Sequence, residues 1–262
     1  MRPAVSPPAS PTDVRTALVV HAHPDDEAFA TGAATWVLHD AGWRVVLRVA
    51  TQGWGGSGEK LPGACALLGI DEWDWLSDPD RWIDDGGVNG PHALASAETG
   101  EVATAIEHTI DELSPDLLLT VGSDGLTGHP DHIAISQAVQ LALKDRPCRA
   151  LGARLRAQDV QAGEQLLREL VPGGPIGSGR VTGCDDATPL EEISQAPELQ
   201  RRRALDHYYE GLGTQDLSGL VTSHGSRSDG LLLRAVFDAS DGWRQDRFEA
   251  LTAWRSGVPS SR

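Results

Sequence analysis

The stretch Val20-His21-Ala22-His23-Pro24-Asp25-Asp26-Glu27 decides how the rest of the chain is read. Before it, Ala17-Leu18-Val19-Val20 is a short apolar run of the kind carried by a strand buried on both faces. After it, Pro24 and three acids have the composition of a helix's first turn, where proline's missing N–H costs nothing and negative charge meets the positive end of the helix dipole. A strand thus delivers His23 and Asp26 to its carboxyl end. Their spacing of three places both side chains on one helical face, where an imidazole and a carboxylate can share a metal ion while Asp25 stays free as a general base. Taken alone, the same residues also describe nothing more than a well-capped helix start.

A second segment shifts that balance. Gly128-His129-Pro130-Asp131-His132 repeats His-Pro-Asp and again follows an apolar run, Leu117-Leu118-Leu119-Thr120-Val121. Two such turns meeting at one place would supply three ligands.

The paired segments resemble the signature of the LmbE/PIG-L family of zinc-dependent de-N-acetylases, and the resemblance extends over roughly residues 16 to 215. It implies that His23, Asp26 and His132 bind Zn2+, that Asp25 is the general base and that His129 stabilises the tetrahedral intermediate. Another divalent ion would suit the same donors. The implied reaction is removal of a small N-acyl group, acetyl above all, from an amino-sugar-containing small molecule or conjugate. Asp80 matches an acid that follows the third strand in relatives and is a candidate for substrate contact. Two departures stand out. Where the family's next helix usually opens with Arg-x-x-Glu, this chain has Ser57 and Lys60, with Pro62 expected to break the turn, so the substrate is expected to differ from the common amino-sugar conjugates. Where some relatives carry a tyrosine, this chain has Thr127, which leaves His129, as an imidazolium, to donate to the developing negative charge.

Two other readings remain open: an amidase of the same fold acting on a non-sugar amide such as a thiol conjugate, and a carbohydrate-binding relative without activity. The presence of Asp25, His129 and all three ligand types counts against the second.

Length and composition bound the remaining classes. A chain of 262 residues can bury one substantial core, so residues 16–262 are expected to form a single domain, preceded by a flexible tail over residues 1–15, a stretch with four prolines and no apolar run. That tail suits neither a signal peptide nor a membrane span. A formal charge of -16 opposes nucleic acid and anionic membrane surfaces as main partners. The expected partner is a small N-acylated molecule, and the sequence leaves room for a homo-oligomer. Cys65, Cys148 and Cys184 are too few and scattered for a disulfide framework or a cysteine metal site, which points to a cytoplasmic protein with buried or half-buried thiols.

The alternation of strand and helix patterns argues for a three-layer α/β fold with a mostly parallel sheet, and the resemblance implies its Rossmann-like form. No dinucleotide fingerprint follows the first strand. Residues 29–41 have helical apolar spacing, with Gly42 as the stop, and residues 44–51 read as a strand leading into the glycine-rich loop 52–58. Loops at that end of an open sheet line active sites, so Trp54 is a candidate for the pocket wall. Alternate Trp73 and Trp75 read as core, whereas Trp82, in the polar stretch 78–91, reads as a ligand platform. A helix over 99–113 leads to the strand before the second site segment, and a helix over 133–143 follows that segment. Beyond it the pattern reads as a strand over 150–155, a helix over 160–170, a short strand over 181–184, a late helix ending at His207, a strand over 231–237 and a helix over 243–254. His207 is weighed as a surface residue ahead of a site participant. His39, His92, His108 and His224 have no partner at metal spacing.

Overall fold

The structure, a computed structural model, describes residues 14–251. The chain opens with β1 (Thr16–His21), two short helices α1 (Asp26–Ala30) and α2 (Gly32–Asp40), and β2 (Arg44–Val49). Next come α3 (Ser57–Leu67), β3 (Glu72–Trp75), α4 (Thr99–Leu113), β4 (Leu117–Val121), the single turn α5 (Gly125–Gly128) and α6 (Pro130–Ala142). The second half holds β5 (Arg149–Ala153), α7 (Ala157–Leu170), β6 (Glu191–Ser194), α8 (Glu198–Tyr208), α9 (Leu217–His224), α10 (Asp229–Ala239) and β7 (Gln245–Ala250).

The seven strands form one sheet in the order β3-β2-β1-β4-β5-β7-β6; the first five are mutually parallel, while β7 runs antiparallel to both β5 and β6. β1 and β4 are neighbours, pairing Leu18 with Leu118, and the strand order reverses direction between them. In open α/β sheets that reversal leaves a crevice at the carboxyl ends of the two strands. Both His-Pro-Asp segments start there.

Every β1 residue is buried because both faces of the sheet are covered. Ala17 and Val19 join the apolar core that also takes residues of α1, α2, α3 and α7 to α10, whereas Leu18 and Val20 join the opposite core, shared with α4 and α6. Trp73 and Trp75 pack edge to face, ring centres 5.7 Å apart, against the first of these cores, as expected. All three cysteines are free, and Cys148 is half-buried while the other two are buried. Among the described residues no helix is long and apolar enough to cross a membrane. The expected tail lies, except for its last two residues, outside the described residues.

Four local expectations need correcting. The apolar run 231–237 is helix, the centre of α10, not a strand. All seven of its residues are buried, and α7 comes so close that a methyl group on Gly163 would overlap the Val236 backbone. A helix enclosed on all sides loses its polar stripe, and length alone does not separate it from a buried strand. Ser228, accepting from the Leu231 N–H, and Asp229 in the first turn are the start signal that distinguishes it. Conversely, residues 245–250 form β7 rather than helix, with Asp246 and Phe248 inward and Arg247 and Glu249 half-exposed. The end of that expected helix, Trp254, lies outside the described residues. Residues 181–184 contribute only an isolated bridge, Cys184 with Arg156, and the sheet's edge strand is instead β6. Finally, α3 begins at Ser57 and continues through Pro62, which sits on its exposed side.

Candidate metal centre

Asp26 opens α1, with Asp25 as the preceding cap. Asp25 has φ 110° and ψ -26°, a left-handed conformation that costs a non-glycine residue on the order of 1–3 kcal/mol. In the second turn His129 is the cap of α6, its Nδ1 accepting from the Asp131 N–H at 3.3 Å, with Pro130 at the first helical position.

The two turns meet. His23 Nδ1 lies 3.1 Å from His132 Nε2, and Asp26 reaches both imidazoles, at 3.0 Å from His132 Nε2 and 3.7 Å from His23 Nδ1. The outward nitrogens of the two rings are occupied by acceptors. His132 Nδ1 donates to the Gly125 carbonyl at 2.9 Å, and His23 Nε2 donates to Asp131 Oδ2 at 3.0 Å. These bonds select the tautomers that leave a bare lone pair on each inward nitrogen. With one proton on each ring, two nitrogen lone pairs and a carboxylate face one another across about 3 Å, a donor set that calls for a cation, either a metal ion or the second proton that His23 holds in its absence. The residues fit a divalent metal. His129 also offers a ring nitrogen within 4.8 Å of those of His23 and His132.

Electrostatics follow from burial and this crowding. Burial by itself would push the His23 imidazole down, but Asp131, Asp26 and Asp84 hold it up at about 9. Burial likewise works against the Asp26 anion, and is outweighed by the two imidazoles, which hold it well below the usual carboxylate range. Burial and the neighbouring Asp26 push Asp25 up to about 7, opposed by a hydrogen bond from the Tyr209 hydroxyl. Burial, then the charges of His132 and His23, lower His129. With Nδ1 already accepting, His129 is a neutral imidazole presenting Nε2–H, so it can donate without being the imidazolium expected from sequence. His21 lies behind the site, neutral because burial pushes it down to about 4.

A cavity of about 280 Å³ opens over these groups. His23, Asp25, Asp26, His129 and His132 all line it. Phe29, Leu126, Leu212 and Leu233 form an apolar wall, and Trp54, 73% exposed, stands at its edge. Gly53 makes this placement possible: a Cβ there would meet Pro24 at 2.8 Å, so only glycine lets the loop lie against the first turn. Asp80 and Trp82 are not in the cavity. Asp80 accepts from the Gln52 side chain at 2.9 Å, and Trp82 is 4% exposed, packed in the core under α4 and α6. The polar residues around Trp82 signal an exposed loop, but the indole turns inward while Asp84, two residues on, takes the place at the site, 3.7 Å from His23 Nε2. Lys60 points away, donating to the Tyr208 carbonyl at 2.5 Å, and exposed His207 packs on α3 at Gly63. Site residues that sequence reasoning passed over are Asp84, the buried Asp131, Glu27 and Tyr209. Asp131 stood inside the quoted motif, and Tyr208 and Tyr209 are the chain's two tyrosines, side by side.

Residues 18–143 match the family of GlcNAc-PI de-N-acetylases, PIG-L. The chain is 32% identical over 289 aligned positions to a 1D-myo-inositol 2-acetamido-2-deoxy-alpha-D-glucopyranoside deacetylase of Acidothermus cellulolyticus, an alignment covering 93% of this chain and 98% of that protein. With several other curated relatives the alignment spans about half of their length. For deacetylase 2 of that type from Frankia casuarinae the identity is 31%, with 53% of each chain covered. Among solved structures, the A40926 pseudoaglycone deacetylase Dbv21 superposes with a TM-score of 0.57 at 19% identity, over 90% of this chain and 96% of that one, a likeness of fold.

Proposed function

The chain belongs to the PIG-L family of de-N-acetylases, and from that premise we propose that it is a metal-dependent hydrolase that removes an N-acetyl group from an amino-sugar-containing small molecule. The observation that carries this reading is the convergence of His23 Nδ1, His132 Nε2 and the Asp26 carboxylate with both outward imidazole nitrogens already bonded. We assign these three residues to a divalent ion and propose zinc, whose preference for mixed nitrogen and oxygen donors they meet.

Such an ion supplies polarisation of the acyl carbonyl and acidification of water. The chain's own residues do the rest. Asp25, poised beside the ligands on the cavity wall, takes the proton of the attacking water and returns it to the departing nitrogen. His129 Nε2–H donates to the acyl oxygen as it gains charge, and because Nδ1 is fixed by the Asp131 N–H the ring needs no reorientation. Acetate and a free amine leave. Phe29, Leu126, Leu212 and Leu233 keep part of the cavity dry, and Trp54 offers a face for a sugar ring or its aglycone.

Lys60 is turned away from the cavity and Ser57 lines it where the family's arginine is usual, so the polar grip on sugar hydroxyls is weaker here. That favours, as a second reading, an acylated amine that is not a simple sugar. One assay separates the readings. Amine release is measured with added zinc on N-acetylglucosamine, on its inositol conjugate and on non-sugar N-acetyl amines. Release from the sugar compounds is expected, release confined to non-sugar amides would shift the substrate class, and metal binding without release from any of them would refute the enzyme.

A further inference from the structure

We infer that Tyr208 and Tyr209, which lie outside both His-Pro-Asp turns, act together as positioning residues that hold Asp25 by its main chain and by its carboxyl group. The inference rests on the reading of Asp25 as the base. Tyr208 is buried, and its hydroxyl donates to Glu27 Oε1 at 2.7 Å. Glu27 is fully buried too, and its other oxygen accepts the Asp25 backbone N–H at 3.0 Å. Tyr209, on the cavity wall, donates its hydroxyl to Asp25 Oδ2. One residue in a costly left-handed conformation is thus held from two directions by one dipeptide.

The local geometry lets neighbours do this. Tyr208 is the last residue of α8, and Tyr209 is already extended, with φ -133° and ψ 108°, so successive side chains diverge, one into the core and one into the cavity. α8 is itself fastened to α1 near its other end. There the buried Arg201 donates to the Ala28 and Phe29 carbonyls and pairs with Asp246 at 2.7 Å. The site helix is therefore gripped at its carboxyl end by a guanidinium and at its amino end by two phenols. With Oδ2 occupied by Tyr209, Asp25 meets water through Oδ1 alone, in a fixed direction. Freed of the phenol, the carboxyl group could rotate about its Cβ–Cγ bond and spend much of its time misdirected.

The chain has two tyrosines, so incorporation of 3-fluorotyrosine gives a 19F spectrum of two resonances, assigned by their loss in Tyr208→Phe and Tyr209→Phe. In zinc-loaded full-length protein, Asp25→Gly removes the carboxylate while glycine keeps the positive φ. The Tyr209 resonance is expected to move in Asp25→Gly, and the Tyr208 resonance in Glu27→Gln. A Tyr209 resonance unmoved by Asp25→Gly would overturn the inference whatever the protein's activity. On a confirmed substrate, Tyr209→Phe is expected to lower kcat about tenfold with KM and zinc content within about twofold of the parent, and to add less than twofold in the Asp25→Gly background. Equal losses in both backgrounds would mean that Tyr209 does not act through Asp25. Absence of turnover by the parent protein would count against the proposed activity and leave the spectral result to decide the pairing.

Discussion

The two His-Pro-Asp turns share three residues and a place in the fold, each leaving a central parallel strand at the same crevice, yet corresponding residues do different work. The fourth residues, Asp26 and His132, face each other 3.0 Å apart. The first residues part company: His23 turns its Nδ1 to that pair, whereas His129 uses its own Nδ1 to cap α6. The third residues differ most. Asp25 has φ 110° and lines the cavity, while Asp131 sits inside a regular helix, fully buried, accepting from His23 Nε2 and from the Ala95 N–H. On the proposed assignment, the strained aspartate does the chemistry and the relaxed one supports a ligand. A motif repeated in sequence thus places one aspartate on the cavity wall and buries the other inside a helix, and local backbone conformation accompanies the difference.

The largest expected contrast is between those aspartates. Asp25→Asn is expected to keep metal and fold while losing roughly 10³ in turnover, within the usual range for a lost general base. Retention of a tenth of parent activity would remove that role. His129→Ala comes next, with a fall of about 10² in kcat that exceeds any change in KM, as expected for a donor that matters as charge develops. Asp131→Asn should act through the metal instead. It perturbs the bond that orients His23, so zinc affinity is expected to drop by about 10- to 100-fold and turnover to return at high zinc. If Asp131→Asn binds zinc like the parent but turns over slowly, the division of labour between the two turns is wrong.

Much of this was legible from residues. The apolar runs before both turns, the helical spacing of His23 and Asp26, and Pro130 at the start of α6 all express local physics, and the strand–helix alternation carried the sheet as far as β5. What the sequence hid depends on distant partners. Residues 231–237 have a strand's composition because α7 covers the one face on which a helix would have shown polar residues. β7 carries the buried acid Asp246, tolerated there because Arg201 arrives from α8 and the Ala34 N–H from α2. Trp82 and Asp84 lie two positions apart in one polar loop, and nothing local says which turns in and which reaches the site.

The smallest contrast compares the two loop tryptophans, Trp54 at the edge of the cavity and Trp82 in the core. Trp54→Ala is expected to weaken apparent substrate affinity five- to tenfold, about 1 kcal/mol for one aromatic face, with metal content unchanged. Trp82→Ala should leave affinity alone and cost stability, about 3–5 kcal/mol for a buried indole, visible as a lower Tm. A loss of affinity in Trp82→Ala without loss of stability would reverse the assignment.

The central claim, that the two turns are halves of one metal centre, is tested most directly by titrating zinc into metal-stripped protein and following bound metal by calorimetry. The account predicts one tight ion per chain in the parent and in Asp25→Asn, and its loss in His23→Ala, Asp26→Ala and His132→Ala alike, although His132 belongs to the other turn. Undiminished binding in His132→Ala, or tight binding abolished in Asp25→Asn, would contradict it.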